Sequence, residues 1–309
     1  MIITPVARGS NVPVWPILLV LRTFLSLKHR SNEVIPDGLS IYRILFILKN
    51  YNMYYNSRMS MKKILAQVRK ADEMFNLVED NDKIGIGLSG GKDSSLLLYT
   101  MYLYKFLYEN TYNKHFDIVG IHIDLNFGED DTKMLDEWFK QYPIDIHYEK
   151  SKIKDILELN KHKDRIDCSL CSTLKKGAVI KTAKELSCNK VAFAHHGDDA
   201  IETLLMNMIY GGRIATFDPK MYLTNSEITF IRPFCLTYES DIKKTSKQLQ
   251  IPIIKSGCPN DGYTKRQEIK ELLHSIYHSY PQAKSNFLLS LYNKEQLNLY
   301  LNKLDPKKD

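Results

Sequence analysis

Lys83 to Tyr99 reads KIGIGLSGGKDSSLLLY: an apolar run, a turn with two adjacent glycines and a lysine, and a second apolar run. The pattern predicts a strand over 83–88, a turn over 89–93 and a helix over 94–107. Such a turn constrains the fold because backbone N–H groups and the positive end of the new helix converge on one point. Two familiar phosphate motifs fail here. The pattern G-x-x-x-x-G-K-[ST] needs Gly where Ile86 stands and Ser or Thr where Asp93 stands. The pattern G-x-G-x-x-G is met literally by Gly85, Gly87 and Gly90, but its first glycine should end a strand. Only Lys83 and Ile84 separate Gly85 from the polar pair Asn81-Asp82. What fits is a shorter anion loop. Gly90 and Gly91 admit phosphate oxygens, Lys92 adds a mobile charge, and Ser89 and Ser94 add hydroxyl donors. Asp93 is a poor phosphate neighbour and is expected to face Mg²⁺.

Downstream of Met61 the chain alternates apolar β-branched runs with longer helical patterns. Strands are expected at 83–88, 117–124, 144–148, 190–195 and 228–232. Helices are expected at 94–107, 130–141, 172–187, 198–210 and 239–250. This alternation predicts an α/β fold, a parallel sheet with helices on both faces. Right-handed crossovers place the strand C-termini at one edge, so the loops after Leu88, Asp124 and His195 should share one crevice. With 309 residues and 44% hydrophobic content, the chain can bury one large core or two small ones.

Residues 1–60 read differently. They carry seven Lys/Arg against two Asp/Glu, and the apolar run Val12–Leu27 is broken by Pro13, Pro16 and Arg22. That run is short for a membrane span, and no small-residue cleavage site follows it. The expectation is an extension outside the catalytic core, with the working domain over 61–309 and no membrane association. Residues 242–309 carry twelve Lys/Arg against six Asp/Glu, whereas 61–241 are net acidic. A basic C-terminal segment therefore points to nucleic acid better than the overall charge of +7 does. Lys243, Lys244, Lys247, Lys265 and Arg266 are candidates for phosphate contacts, and a solvated helix face is their plain alternative.

Two further motifs follow. In AHHGDDAIET, His195 and His196 end a strand and Asp198 and Asp199 enter a helix. Helix capping accounts for one such acid. Two acids beside a phosphate loop suggest Mg²⁺ ligands or groups that orient a nucleophile, with Asp199 acting alongside Lys92 and Asp93. In DCSLCS, Cys168 and Cys171 stand three apart, and Cys258 follows Cys168 by 90 residues in SGCPND. Five cysteines, unevenly spaced, do not make a disulfide framework, so a reduced, cytoplasmic setting is expected. Cys188 and Cys235 lack ligand-like neighbours and are expected in the core. Three thiols with an open fourth position suit an iron–sulfur cluster.

SGGKDS is similar to the PP-loop of the pyrophosphate-releasing ATP hydrolases. With CSLCS, HHGDD, Glu202-Thr203-Leu204, Arg232-Pro233 and the late Cys258 in that order, the stretch from about Met61 to about Leu273 resembles the tRNA 2-thiocytidine synthetase family. The resemblance implies an adenine-nucleotide-binding α/β fold and an ATP-dependent tRNA sulfurtransferase. ATP with Mg²⁺ would adenylate the C2 carbonyl oxygen of a cytidine at position 32 of the anticodon loop, and sulfide would then displace AMP. Ser89, Gly90, Gly91, Lys92, Asp93 and Ser94 would hold the ATP phosphates, with His195 and Asp198 also on the nucleotide. Cys168, Cys171 and Cys258 would hold a [4Fe–4S] cluster. The implied partners are tRNA, a sulfur donor such as a cysteine desulfurase, and a second copy in a homodimer. Close members often carry another cysteine soon after the late one, whereas this chain continues CPNDGYTKRQ. That departure leaves related uridine thiolases and tRNA lysidine synthetases as alternatives, along with a zinc-stabilised RNA-binding protein that needs no ATP loop.

Overall fold

The computed structural model describes residues 59–125, 132–160, 168–254 and 265–296. Most of the expected N-terminal extension (residues 1–58) and Cys258 lie outside them. Helix α1, over residues 59–75, opens the described chain. It buries Met61, Ile64, Val68 and Ala71, one stripe at helical spacing.

A six-stranded sheet follows: β1 Asp82–Leu88, β2 Phe116–Asp124, β3 Ile146–Lys150, β4 Lys190–Ala192, β5 Lys220–Leu223 and β6 Ile228–Ile231. The helices are α2 Lys92–Tyr112, α3 Lys133–Phe139, α4 Ile153–Leu159, α5 Cys168–Glu185, α6 Gly197–Gly211, α7 Glu239–Gln248, α8 Lys265–Ser279 and α9 Ala283–Ser290. The strand order is β3-β2-β1-β4-β6-β5. From β1 the chain first winds outward to β2 and β3, then returns to place β4 on the other side of β1. The switch in strand order thus lies between β1 and β4, which is where open α/β sheets bind ligands.

All ladders are parallel except β5–β6. The antiparallel edge strand departs from the expected all-parallel sheet. Its cause is local: four residues, Thr224 to Glu227, separate β5 from β6, and so short a connection can only return antiparallel. β5 is four residues long and half polar in setting, which leaves little periodicity to read. β4 ends at Ala192 rather than at His195, although Phe193 N–H still reaches Ile231 O at 3.1 Å. β3 lies at 146–150, two residues later than expected. Helices α4, α8 and α9 were not anticipated. The last two pack Ile269, Leu273 and Leu288 against Ile201 of α6 as a small separate cluster.

The sheet is covered on both faces. Ile84, Ile86 and Leu88 of β1 join α1 and α2 in one core. Ile121, Val191 and Phe230 join Val179 and Ala183 of α5 in the other. Gly85 faces α5, and a Cβ there would stand 2.7 Å from Ile121 Cδ1 and 3.3 Å from Ala183 Cβ. The first glycines of the apparent G-x-G-x-x-G pattern are therefore packing positions within β1, not a dinucleotide turn. Cys188 and Cys235 are 7% and 6% exposed, as expected of small core residues.

At the opposite edge of the sheet, Lys190 is 2% exposed. Its Nζ lies 2.7 Å from carboxylate oxygens of both Glu79 and Asp82 and donates to Leu77 O at 3.1 Å. Asp82 is itself 3% exposed. Lys190→Met would strand that buried carboxylate, at a cost of about 3–5 kcal/mol. The expected outcome is a matching fall in unfolding free energy on urea titration, and a midpoint equal to wild type would refute it.

Candidate functional site

β1 ends at Leu88 and α2 begins at Lys92, so the turn between them stands at the switch point. Gly90 adopts φ +76°, and a Cβ on it would lie 2.7 Å from Ile254 Cβ. Ile254 N–H donates to Gly90 O at 2.9 Å, which ties the residues before the Cys258 segment to the turn. Ser94 Oγ accepts Ser89 N–H at 3.1 Å, meets Ser89 Oγ at 3.0 Å, and donates to Gly91 O at 3.1 Å. The two serines thus brace the turn as well as offering hydroxyls. Gly91 is the N-cap of α2, and no side chain caps the 21-residue helix. An uncapped N-terminus beside a glycine turn is a fit for an anion, because its N–H groups and dipole both favour one. Asp93 Oδ2 accepts from Lys92 Nζ at 2.9 Å, whereas its Oδ1 is buried without a partner. That orphaned oxygen suits a cation such as Mg²⁺.

The loop after β4 is built differently. His196 caps α6: its Nδ1 accepts Asp199 N–H at 3.3 Å while Asp199 Oδ2 accepts His196 N–H at 2.9 Å. Asp199 Oδ1 also meets Arg266 Nη1 at 3.2 Å. Asp198 is 8% exposed, accepts Glu239 N–H at 2.7 Å and pairs with Lys284 at 2.6 Å. Both acids therefore hold elements together, and Arg266 faces this cluster rather than open solvent. Glu202, 3% exposed, shares Arg266 at 3.3 Å, and burial raises its pKa.

The motif reading missed the residue that joins the two loops. Glu239, at the start of α7, lies 3.4 Å from Lys92 Nζ through Oε1 and 2.7 Å from Lys270 Nζ through Oε2. Burial opposes its ionisation, yet Lys270 and then Lys92 overcome that and hold its pKa down at about 2. Its backbone N–H reaches Asp198. The loops after β1 and β4 are thus connected through one carboxylate supplied from beyond β6. In sequence its signal is only an acid in a helix's first turn, within TYES.

His195 stands beside Phe193 and Phe217, with ring centroids at 6.1 and 5.3 Å. Its Nδ1 is buried without a partner. Burial, and then the positive charge of Arg232, push its pKa down to about 4. Cys168 is the first residue of α5 and Cys171 lies one turn on, 9% exposed. Two cysteines three apart at a helix start can serve one metal centre. The third, Cys258, falls between Ile254, whose backbone reaches the glycine turn, and α8, whose Ile269 and Leu273 pack on Ile201 of α6.

The depressed pKa of His195 carries a pH signature. Between pH 6.5 and about 4 the unfolded chain takes up a proton that the folded chain resists. This contribution to stability is complete above pH 6.5 and declines as pH falls, by up to about 1.4 kcal/mol per unit. His195→Gln should flatten that part of the pH–stability curve, read as thermal midpoints at pH 7, 6 and 5. Parallel curves for the two chains would overturn the assignment.

A family model described as a PP-loop domain matches residues 59–275. Among curated proteins, the chain is 34% identical over 228 residues to the tRNA-cytidine(32) 2-sulfurtransferase of Actinobacillus pleuropneumoniae (serotype 5b, strain L20), covering 74% of this chain and 70% of that one. It is 32% identical over 253 residues to the enzyme of the same description from Paraburkholderia xenovorans (strain LB400), covering 82% and 74%. Its fold superposes on the U34-tRNA thiolase NcsA from Methanococcus maripaludis, solved with its [4Fe-4S] cluster, with a TM-score of 0.59 at 21% identity over 78% of this chain and 81% of that one. With a phosphate-ready turn at the switch point, paired thiols at a helix start and these relatives over most of its length, the chain belongs to the PP-loop family and, within it, to the tRNA-cytidine(32) 2-sulfurtransferases.

Proposed function

We infer that this chain is an ATP-dependent tRNA sulfurtransferase that replaces the C2 oxygen of cytidine 32 in the anticodon loop with sulfur. The observation that carries the ATP half is the joining of the uncapped α2 turn to the HHGDD loop through Glu239 at the switch in strand order. The thiolation half rests on family membership and on the paired thiols of α5.

The chemistry needs a better leaving group than a ring carbonyl oxygen. That oxygen attacks the α-phosphorus of ATP and pyrophosphate departs. Hydrosulfide then adds at C2, and the C–O bond breaks to release AMP with the former carbonyl oxygen. The chain's share is charge placement. The N–H groups at the start of α2 and the ammonium of Lys92 stabilise the departing pyrophosphate. Ser89 and Ser94 fix the turn, and Glu239 keeps Lys92 extended across the crevice. Asp93, through its unpartnered oxygen, is the carboxylate that would hold Mg²⁺, which offsets phosphate charge when bound, whereas Asp199 fixes the start of α6 through His196 and Arg266. Asp198 completes the wall on the nucleotide side, and His195 lines the neighbouring recess on the Phe217 ring. Cys168, Cys171 and Cys258 would hold a [4Fe–4S] cluster, which supplies the sulfur-carrying position when present. The target base leaves its stack most readily in a single-stranded loop. The reading carries with it a sulfur donor such as a cysteine desulfurase, assembly as a homodimer, and action in the cytoplasm. Among the described residues no helix is long and apolar enough to cross a membrane. Residues 1–60 fall outside this machinery, since the family match begins at residue 59 and α1 closes the core from there.

Lys92→Ala removes a preorganised charge from the leaving pyrophosphate, at about 3 kcal/mol of transition-state stabilisation. Adenylation followed with radiolabelled ATP should fall about a hundredfold, with the fold and the iron content intact. Unchanged turnover would remove Lys92 from the mechanism.

The thiols give a separate test. Anaerobic reconstitution followed by iron and acid-labile sulfide analysis should give clusters in wild type and in the Cys188→Ala and Cys235→Ala chains. Cys168→Ala, Cys171→Ala and Cys258→Ala should each lose iron and 2-thiocytidine formation while keeping adenylation. Stoichiometric zinc without iron, or thiolated tRNA from the Cys258→Ala chain, would overturn the cluster assignment.

A further inference from the structure

Around the Phe217 ring, buried nitrogens gather without matching anions. Arg232 follows β6 and is 5% exposed. Its guanidinium lies 4.8 Å over the Phe217 ring, and its Nη1 donates to Asp218 O. Its Nε is buried with no partner. On the same Phe217 ring sits His195, whose buried Nδ1 also has no partner. Lys176, half-buried on α5, stands near enough to bear electrostatically on both Arg232 and His195. Among the described residues no carboxylate pairs with Lys176; burial, then Arg232 and Arg266, depress its pKa. The acids facing this recess are few and committed. Asp218 bears on Arg232, and Asp199 is already shared by Arg266 and the His196 cap.

Desolvated cations with too few anions are costly, and unpartnered buried nitrogens add to that cost. An incoming anion offsets both. The recess is not the place of the ATP phosphates. Those belong at the end of β1, where Lys92 and the uncapped α2 stand, whereas Arg232 and His195 follow β6 and β4. Lys176 is five residues beyond Cys171 on the same helix. An aromatic ring flanked by an arginine, with a lysine nearby, is chemistry suited to nucleic acid backbone.

We propose that Lys176, Arg232 and the exposed edge of His195 form an RNA phosphate subsite that seats a backbone phosphodiester of the anticodon loop beside the reacting cytidine. The proposal rests on the tRNA reading above and adds to it a place and a set of ligands for one phosphate.

Lys176→Gln is the informative change, because it relieves a repulsion instead of breaking a pair. The probes are an anticodon stem-loop RNA in a fluorescence anisotropy titration across a salt series, and ATP alone by calorimetry. Lys176→Gln should keep or raise the thermal midpoint and leave ATP affinity unchanged. It should weaken RNA binding about tenfold and make the log–log salt slope shallower by roughly 1. Arg232→Lys, which keeps the charge but loses the planar fork, should weaken RNA binding and leave most of the slope. RNA affinity and salt slope equal to wild type in Lys176→Gln would overturn the subsite while leaving the tRNA reading in place. An equal loss of ATP affinity would reassign the recess to the nucleotide. Failure of the wild-type chain to bind the stem-loop would overturn both readings.

Discussion

Glu239 holds one carboxylate between two ammonium groups, Lys92 at 3.4 Å and Lys270 at 2.7 Å, while its N–H is taken by Asp198 at 2.7 Å. The site depends on this arrangement because the three segments it joins come from different parts of the sheet. Lys92 follows β1, Asp198 follows β4, and Glu239 follows β6. Without a shared anion, Lys92 and Lys270 would face each other across the crevice. With it, both are held extended, and the carboxylate stays ionised because Lys270 and Lys92 together lower its pKa more than burial raises it. Both ammonium groups remain partly exposed, so the contact serves positioning more than bulk stability.

Such a hub explains why the turn can be left so bare. The start of α2 has no side-chain cap, and Gly90 and Gly91 offer only backbone. A turn of this kind would be loose on its own. It is fixed instead from outside itself: by the two serines, by Ile254 filling the space a Cβ at Gly90 would need, and by Ser246 Oγ donating to Lys92 O at 3.4 Å. Preorganisation is supplied by neighbours, which hold Lys92 and the two serine hydroxyls in place before any ligand arrives.

The strand–turn–helix at 83–107, the α/β class and the meeting of the first two motifs were legible because each is local or follows from crossover handedness. Cys188 and Cys235 could be placed in the core because nothing near them in the chain could complete a metal site. Glu239 and Lys270 were not legible. Their roles arise from β6 lying beside β4, and strand order is not written in any short stretch. The division within HHGDD was hidden for a different reason. An acid that caps a helix and an acid that meets a ligand have the same sequence signature, and only the hydrogen bonds of His196 and Asp199 separate them. Gly85 shows the converse error. It looks like part of a dinucleotide fingerprint, yet it answers to the side chains of α5. β5 escaped notice because four residues carry too little periodicity to register.

Parallel strands also deliver helix N-termini to one edge, and the chain treats four of them unequally. That of α6 is closed by a capping box, so its dipole is already answered by Asp199. That of α7 carries Glu239, whose charge is shared with two lysines. That of α5 begins with Cys168 and has Cys171 one turn later. That of α2 has no side-chain cap, and it is the one that follows the glycine turn at the switch in strand order. The four helices share one geometry and one dipole direction. What separates an open helix start from a capped or a charge-sharing one is the side chain at the first turn.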